Sequence, residues 1–592
     1  MIALSFSIYQ KEHVKIQILD DVDHIHRFFN YEFKKKFVDD FLLLDLSDFL
    51  NKTSVINAYL DIENIDVEVT PQLVYLINEL PSYEFAKNSS DIDKTILLQK
   101  LADEGFTRIP TNDQLRNLQK LCSKNAVASF SVPGAGKTTE ALGFYAFHRK
   151  SKSAKLLVIS PINAFPSWDE QIAECFNNTL SIARLRGTPS HIHSIIESDP
   201  QFLIINYDGL RSPEKFLSIK NLILDNPDMT IVLDESHKMK GPSISEILMG
   251  LAPFINKKMI LTGTPMPQAS SDLRSQFSFL YPQEYVPYDD QLVSTFDPLY
   301  VRTTKEDLGL MPVIYKEIPV QPYPYFEEFY RTYITKKIED GMSLEDILQI
   351  KSFKRAVLRL IKLLSNPISC DEQIYQLDPS LSTLISEEGY GAKIDAVIDR
   401  TNQLISKGEK VLIWTSFVIN VEILAKSFGD KAVFIHGGVS SSKSESEEFD
   451  DMDTRESRIK RFKEDSDCMV LVANPAAAAE SISLHEQCNY ALYLDRTYNA
   501  GQFLQSQDRI HRLIDKDREQ QKYIEVYYLA LPGCVDEKVH DALNRKIDNM
   551  ANFLNDPSLV SLQGFNFDSD AFEDDNPMDR IDSEEFYPIH NG

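Results

Sequence analysis

A chain of 592 residues, 43% hydrophobic and 26% charged, has length for about four domains and apolar content for several cores. No apolar run reaches the ~18 residues of a membrane span, and no basic stretch precedes the apolar N-terminus, so a cytoplasmic protein without a membrane partner is expected. Six cysteines without a Cys-x-x-Cys pair argue against a disulfide framework or a zinc site, and the net charge of −27 predicts weak non-specific nucleic-acid binding while leaving room for a basic protein partner.

Residues 1–105 alternate apolar stretches such as Val14–Leu19 and Phe41–Leu44 with helical patterns and carry no chemistry, so they read as an accessory α+β domain. The run Phe33-Lys34-Lys35-Lys36-Phe37 reads as a solvated helix face. From Phe106 the pattern changes. Gln114, about twenty residues ahead of the next motif, can offer its amide to both the donor and the acceptor edge of adenine. The apolar run Asn125–Phe130 then leads into Ser131-Val132-Pro133-Gly134-Ala135-Gly136-Lys137-Thr138-Thr139. A buried strand, a glycine turn and a helix start make a backbone cradle for a polyphosphate, with Lys137 reaching the β- and γ-phosphates and Thr138 holding Mg²⁺. Pro133 to Thr139 are the candidate nucleotide contacts, ATP the candidate ligand. Ser131 stands where such loops usually begin with glycine, a place that asks for a small residue.

Further strand-and-turn units follow at Lys155–Pro161, with Ser160 at its end, and at Phe202–Asp208, with Asn206 and Tyr207. Such alternation implies a parallel α/β sheet with its site at the strand C-termini. Thr230–Leu233 is an apolar strand ending in Asp234 and Glu235. Two adjacent carboxylates there divide the work: Asp234 binds Mg²⁺ through its water shell and Glu235 activates the attacking water. His237 is positioned to couple that pair to the next motif, Met259–Pro265, whose Thr262 and Thr264 suit it to sensing the γ-phosphate. A second lobe begins near Gly391, with strands at Val411–Trp414, followed by Thr415 and Ser416, at Phe434–Gly438 and at Met469–Asn474. Between them, 440–453 is a loop rich in Ser and acids.

Together Asp234-Glu235-Ser236-His237, Leu261-Thr262-Gly263-Thr264-Pro265-Met266-Pro267-Gln268 and Asp272–Pro282 resemble the Swi/Snf-type ATPases of helicase superfamily two. Trp168 sits where that family has Pro-x-x-Trp, Arg302–Lys305 resembles its Arg-x-x-Lys segment, and Leu358-Arg359-Leu360 with Ser365-Asn366-Pro367 its helical Leu-Arg and Asn-His-Pro signature. Gln505–Arg512 matches its Gln-x-x-x-Arg-x-His-Arg helix. Ala476–Ser481 stands where the family has a glycine-rich turn, and alanines restrict such a turn.

The resemblance implies two tandem RecA-like parallel-sheet lobes, 106–320 and 391–555, joined by a helical linker (321–390); the mixture of aromatic residues and acids in 556–592, which the resemblance does not reach, reads as a disordered acidic tail. The resemblance also implies that Arg509 and Arg512, three apart on one helix face, act as arginine fingers and that Gln505 takes part in coupling. The implied activity is ATP-driven translocation on duplex DNA without sequence preference; with no chromatin-reading module recognisable in the sequence, DNA repair, restriction or phage defence is the expected setting. Strand contacts are expected from Ser160, Asn206, Tyr207, Thr415 and Ser416, mostly to phosphates. Two other readings stay open: a strand-separating DNA or RNA helicase, and an ATP-gated scaffold that recruits another effector.

Overall fold

The computed structural model describes residues 3–10, 13–19, 23–38, 40–177, 182–267, 269–339, 351–370, 378–439, 454–478, 483–512, 523–531 and 534–559. The acidic tail past 559, the loop 440–453 and the end of the alanine turn, 479–482, fall outside them. Internal contacts divide the chain into one unit of Met1–Pro265 with Ser270–Thr303, and a second that runs from Thr304 and takes in Met266–Ala269.

The first unit opens with strands β1 (Leu4–Tyr9), β2 (His13–Ile18), β3 (Phe41–Asp45) and β4 (Val67–Val69), in the order β3-β2-β1-β4. β1 runs antiparallel to β2 and parallel to β4. Leu4, Phe6, Val14 and Ile16 are buried while their neighbours alternate outward, so one face is closed, with Phe6 edge-on to Phe29 and Phe49. The Asp23–Phe33 helix stops before the lysines. Lys34 turns to φ +52°, and Lys34–Lys36 are exposed beyond the helix rather than on its face.

The main sheet holds β5 (Ala126–Ser129), β6 (Leu156–Ile159), β7 (Ile182–Arg184), β8 (Phe202–Ile205), β9 (Thr230–Asp234), β10 (Lys257–Leu261) and β11 (Tyr300–Val301), in the order β11-β5-β10-β9-β6-β8-β7, every pair parallel. β5, β6 and β8 are buried at every residue, as strands covered on both faces must be. The Lys94–Asp103 helix lies inside the span expected for the accessory domain, but Leu97 and Leu101, one turn apart, pack in the main core with Leu118, Phe144 and Trp168. It belongs to the main lobe.

The second unit is built on β12 (Ile314–Pro319), β13 (Val411–Trp414), β14 (Ala432–Ile435), β15 (Val470–Ala473), β16 (Tyr490–Tyr493) and β17 (Glu525–Ala530), again all parallel, in the order β12-β17-β16-β13-β15-β14. The first lobe was expected to run to 320. Instead the chain passes into the second unit at Thr304, and β12 pairs with β17 from Ile314↔Glu525 to Pro319↔Ala530. Phe326, Phe329, Leu363 and Ile385, from the span expected as a linker, fill the same core as Ile394, Val397, Val421 and Leu424. The Val535–Leu554 helix closes the unit, its Asp536 paired with buried Lys393 at 2.6 Å. Among the described residues no helix is long and apolar enough to cross a membrane.

Candidate active site

β5 lies inside its sheet, between β10 and β11, and the loop leaving its C-terminal end leads into the helix Lys137–His148. Gly134 and Gly136 sit at φ +88° and +84°, which glycine adopts without strain. Gly136 has a second reason to lack a side chain: a Cβ there would lie 2.1 Å from Gln114 Nε2. As N-cap it supplies no side-chain hydrogen bond, so the first turn of the helix presents backbone N–H groups and a positive dipole end. Lys137 donates Nζ to the Ser131 carbonyl at 2.9 Å, folded over its own loop, and Thr138 is half-buried beside it. Pro133 and Ala135 complete the loop. Thr139, expected among the nucleotide contacts, is buried and its hydroxyl donates to Gln171 Oε1 at 3.1 Å, because its place on the helix faces the Phe165–Phe176 helix rather than the loop mouth.

Gln114, expected to read adenine, is buried in a capping box. Its Oε1 accepts from Thr111 N–H and its Nε2 donates to Ala135 O at 3.3 Å, so the amide braces the phosphate loop. Ser131 is equally occupied. Its hydroxyl accepts from Thr303 N–H at 3.0 Å and lies 3.3 Å from Ser129 Oγ, a use no glycine could serve. Below it, buried Glu140 accepts from Ser129 Oγ and Asn117 Nδ2, both at 2.7 Å, and Asn117 Nδ2 also reaches Thr303 Oγ1 at 2.9 Å. Burial pushes the Glu140 carboxyl up to about 7 against those two donors.

Asp234 ends β9 with its carboxylate held on both oxygens. Oδ2 accepts from Trp168 Nε1 at 2.9 Å and from Ser160 Oγ at 3.0 Å, and Oδ1 from Glu235 N–H at 3.0 Å. Burial, then the Glu235 charge, raises this carboxyl to about 6 despite Trp168, Lys137 and Ser160. Glu235 sits at φ +51°, a left-handed conformation that costs a residue with a long side chain ~1–3 kcal/mol, and its Oε2 lies 3.4 Å from His237 Nδ1. The same ring nitrogen is 3.0 Å from Thr262 Oγ1, which also accepts from Thr264 N–H at 3.1 Å. The Thr262–Thr264 turn runs close to the phosphate loop: a Cβ on Gly263 would meet Pro133 Cδ at 3.1 Å.

The expected strand contacts divide. Ser160 is fully buried on the Asp234 carboxylate, and Tyr207 is buried with its hydroxyl donated to the Asp234 main-chain carbonyl at 2.7 Å, so both brace the end of β9 rather than line a surface. Asn206 stays half-exposed at the end of β8. In the second unit Thr415 is fully buried, donating to Asp495 Oδ2 at 2.6 Å. Ser416, half-exposed, donates its N–H to Asp495 Oδ1 at 2.8 Å and accepts from Asn474 Nδ2 at 2.8 Å.

The expected Gln505–Arg512 helix ends early. The helix spans Ala500–Gln507, and Asp508–Arg512 follow as tighter turns through Arg509 N–H to Ser506 O and Ile510 N–H to Gln507 O. Gln505 is buried; its carbonyl accepts from Arg509 Nε at 2.9 Å, and Arg512 Nε donates to Asp508 O at 2.9 Å. Asp508 pairs with Lys305 at 2.6 Å. Pro475–Ala478, where alanines replace the expected glycines, is a short helix. Sequence reasoning missed the parts played by Glu140, Asn117, Asp495 and Asp508. Their only sequence signal is polarity inside otherwise apolar or motif-bearing segments.

The chain matches the SNF2-related domain family over residues 130–308 and the helicase conserved C-terminal domain family over 392–514. The chain belongs to the Swi/Snf-type ATPases of helicase superfamily two. The enzyme class of that family is a helicase-like ATP hydrolase. The Swi/Snf-type chain is 22% identical over 460 residues to the chromodomain-helicase-DNA-binding protein 1 of Gallus gallus, covering 72% of this chain and 25% of that one. It is 22% identical over 455 residues to the ATP-dependent DNA helicase DDM1 of Arabidopsis thaliana (69% and 56%) and 21% identical over 534 residues to an uncharacterised ATP-dependent helicase of Mycoplasma genitalium (85% and 48%). It thus spans about a quarter to just over half of these relatives. The SWI2/SNF2 ATPase core of Sulfolobus solfataricus in complex with dsDNA is 18% identical, with a TM-score of 0.32, over 77% of this chain and 95% of that one.

Proposed function

We propose that this Swi/Snf-type chain hydrolyses ATP with Mg²⁺ and uses the cycle to move along duplex DNA. The observation that carries the reading is local to the first sheet. An uncapped helix N-terminus, Lys137 folded over its own loop and a buried carboxylate at Asp234 meet at the C-terminal ends of β5 and β9, where parallel sheets bind ligands. These residues fit a Mg-bound triphosphate. The loop N–H groups and Lys137 would hold the phosphates, and Thr138 with Asp234 the metal, which supplies charge neutralisation at the transferring phosphoryl group. Glu235 would accept the proton of the attacking water; Trp168 and Ser160 fix Asp234 so that the two carboxylates keep separate tasks. Arg509 and Arg512 would stabilise transition-state charge, each held through its own Nε by a backbone carbonyl.

Duplex DNA as the track is supported by the relatives, one an ATP-dependent DNA helicase and one a chromodomain-helicase-DNA-binding protein. We set the motor in DNA repair, restriction or phage defence; the motor itself is supported by the match of 85% of the chain to an ATP-dependent helicase of Mycoplasma genitalium. The test is steady-state ATPase at low salt without nucleic acid, with single strands, with duplex DNA and with RNA, Lys137→Ala giving the background. Stimulation by duplex supports the reading. Hydrolysis indifferent to every nucleic acid removes the DNA motor, and stimulation by single strands alone favours a strand-separating helicase.

A further inference from the structure

The helix Lys351–Ser365, in the second unit, holds five basic residues and no acid, in a chain whose net charge is −27. Val357, Ile361 and Leu364, at i, i+4 and i+7, are buried, and Leu363 and Leu364 pack with Ile394 and Val397 in the core of the second sheet. At about 100° per residue, Lys351, Lys354, Arg355, Arg359 and Lys362 fall within a separate arc of the helix. Arg359 is exposed there, Lys362 is half-buried with its Nζ donating to Ser369 O at 3.1 Å, and half-buried Leu358 shares the arc. Like charges three and four apart repel along a helix, so this face calls for a counter-charge.

The chain carries such a counter-charge close by. The closing helix, Val535–Leu554, packs against Lys351–Ser365, and the described residues end shortly after it, at 559. The sequence beyond them has nine acids against Arg580 alone, with Phe565, Phe567 and Phe572 around the first of these acids. Asp568 comes nine residues after Leu559. Nine residues reach at most about 32 Å, whereas the 20-residue closing helix is about 30 Å long, so the acids from Asp568 onward can reach its neighbour wherever along it that neighbour packs. A tether this short holds them at an effective concentration on the order of mM, which any polyanion in solution must outcompete.

We propose that the basic face of the Lys351–Ser365 helix is the docking site of the chain's own acidic segment 568–575, whose carboxylates neutralise the five cations and whose Phe572 covers Leu358. Docked, the segment keeps this face closed to nucleic acid and to other acidic partners. Charge complementarity carries the inference together with the place where the described chain ends, beside the helix it would cover. Both halves of the contact belong to the second unit, and no nucleotide takes part, so the inference stands apart from the ATPase reading.

The test is zero-length carbodiimide coupling of lysine amines to carboxylates in the full chain, read by mass spectrometry. Unlabelled and isotope-labelled chains are mixed so that links within a chain are told from links between chains. The expected result is links from Lys351, Lys354 or Lys362 to Asp568–Asp575 within one chain at low salt, falling about tenfold at about 1 M, where charges are screened beyond ~3 Å. Arg355→Glu with Arg359→Glu should lower the same links about fivefold. The partly exposed pair Lys316 and Glu525, 2.8 Å apart, should stay linked as before. A second variant leaves the helix intact and decides alone if the first does not fold. Asp568→Asn, Asp570→Asn, Glu573→Gln, Asp574→Asn and Asp575→Asn together should speed amide hydrogen exchange of residues 351–362 by at least about threefold. Links spread evenly over the lysines of the chain, links only between chains, or unchanged exchange in the tail variant overturn the proposal. So does protection of the helix that appears only when a ~20-base-pair duplex is added, which makes nucleic acid the occupant.

Discussion

Trp168 donates its indole N–H to the Asp234 carboxylate at 2.9 Å. The tryptophan lies in the helix that follows β6 and the aspartate ends β9, so a residue recognisable in sequence only as a family marker proves to be a charge-bearing group's partner. A hydrogen bond to a charged acceptor is worth ~1.5–3 kcal/mol, about one to two pH units. Trp168→Phe should push the Asp234 carboxyl above its already raised position near 6. At pH 7 the half-saturating Mg²⁺ concentration for ATPase should then rise about tenfold, and the deficit should shrink by pH 8.5, where the carboxylate is charged in both proteins; a Mg²⁺ titration at the two pH values checks it.

Glu235 combines a task with a strained backbone at φ +51°. Glu235→Gln should retain nucleotide binding and lose hydrolysis by at least about 10²-fold, as removal of a general base does. Glu235→Gly should be equally inactive yet unfold later, gaining ~1 kcal/mol by releasing the strain. Equilibrium binding, turnover and a melting curve for the two variants separate these effects.

Glu140 is buried beneath the phosphate loop with its carboxyl near 7. A folded-state pKa above the unfolded value gives stability that is full below about 4.5 and lost as pH rises through about 7. Glu140→Gln, which removes the ionisation, should flatten that dependence: the variant should lose less Tm than the parent between pH 5 and pH 8. Glu140→Ala leaves Asn117 and Ser129 to face an empty site and should cost ~2–4 kcal/mol at either pH, by denaturant melts.

His511 has the opposite sign. Held at about 4 when folded against 6.5 ordinarily, it binds its proton more readily in the unfolded chain, so its contribution to stability is complete above 6.5 and drains away as pH falls toward 4. His511→Asn should weaken the parent's loss of Tm between pH 7 and pH 5.

The two loop glycines should respond differently to alanine. At Gly134 a Cβ meets nothing within 4 Å, so Gly134→Ala carries only the positive-φ strain of ~1–2 kcal/mol. At Gly136 the Cβ drives into Gln114 as well, so Gly136→Ala should lower ATP-analogue affinity by at least about tenfold while Gly134→Ala keeps it within threefold. Direct binding measurements compare them.

The parallel lobes were legible because each core strand is an apolar run followed by a turn bearing a motif: Val127 to Lys137, Ile231 to Glu235, Leu412 to Ser416. β12 and β17 were not. Glu317 and Lys316 break the apolar pattern of β12, whose pairing with β17 joins segments about two hundred residues apart, a relation no local window holds. The site was legible as a set of residue types but not as a set of partners. Ser160, Tyr207 and Thr415 carry hydroxyls at strand ends, where a ligand contact and an internal brace look alike in sequence; burial decided for the brace. Gln505–Arg512 read as one helix because its spacing is helical, yet the turn tightens after Gln507 where Asp508 is drawn onto Lys305.

The pairing of β12 with β17 also governs how the protein can be made and cut. The second sheet takes its edge strand from just past the junction and the neighbour of that strand from near its end, so a nascent chain cannot finish this sheet until residue 530 has been synthesised. A fragment beginning at 391 would leave β17 as a bare edge, Glu-Val-Tyr-Tyr-Leu-Ala, open to pairing with another copy. One beginning at Thr304 would carry its own cover.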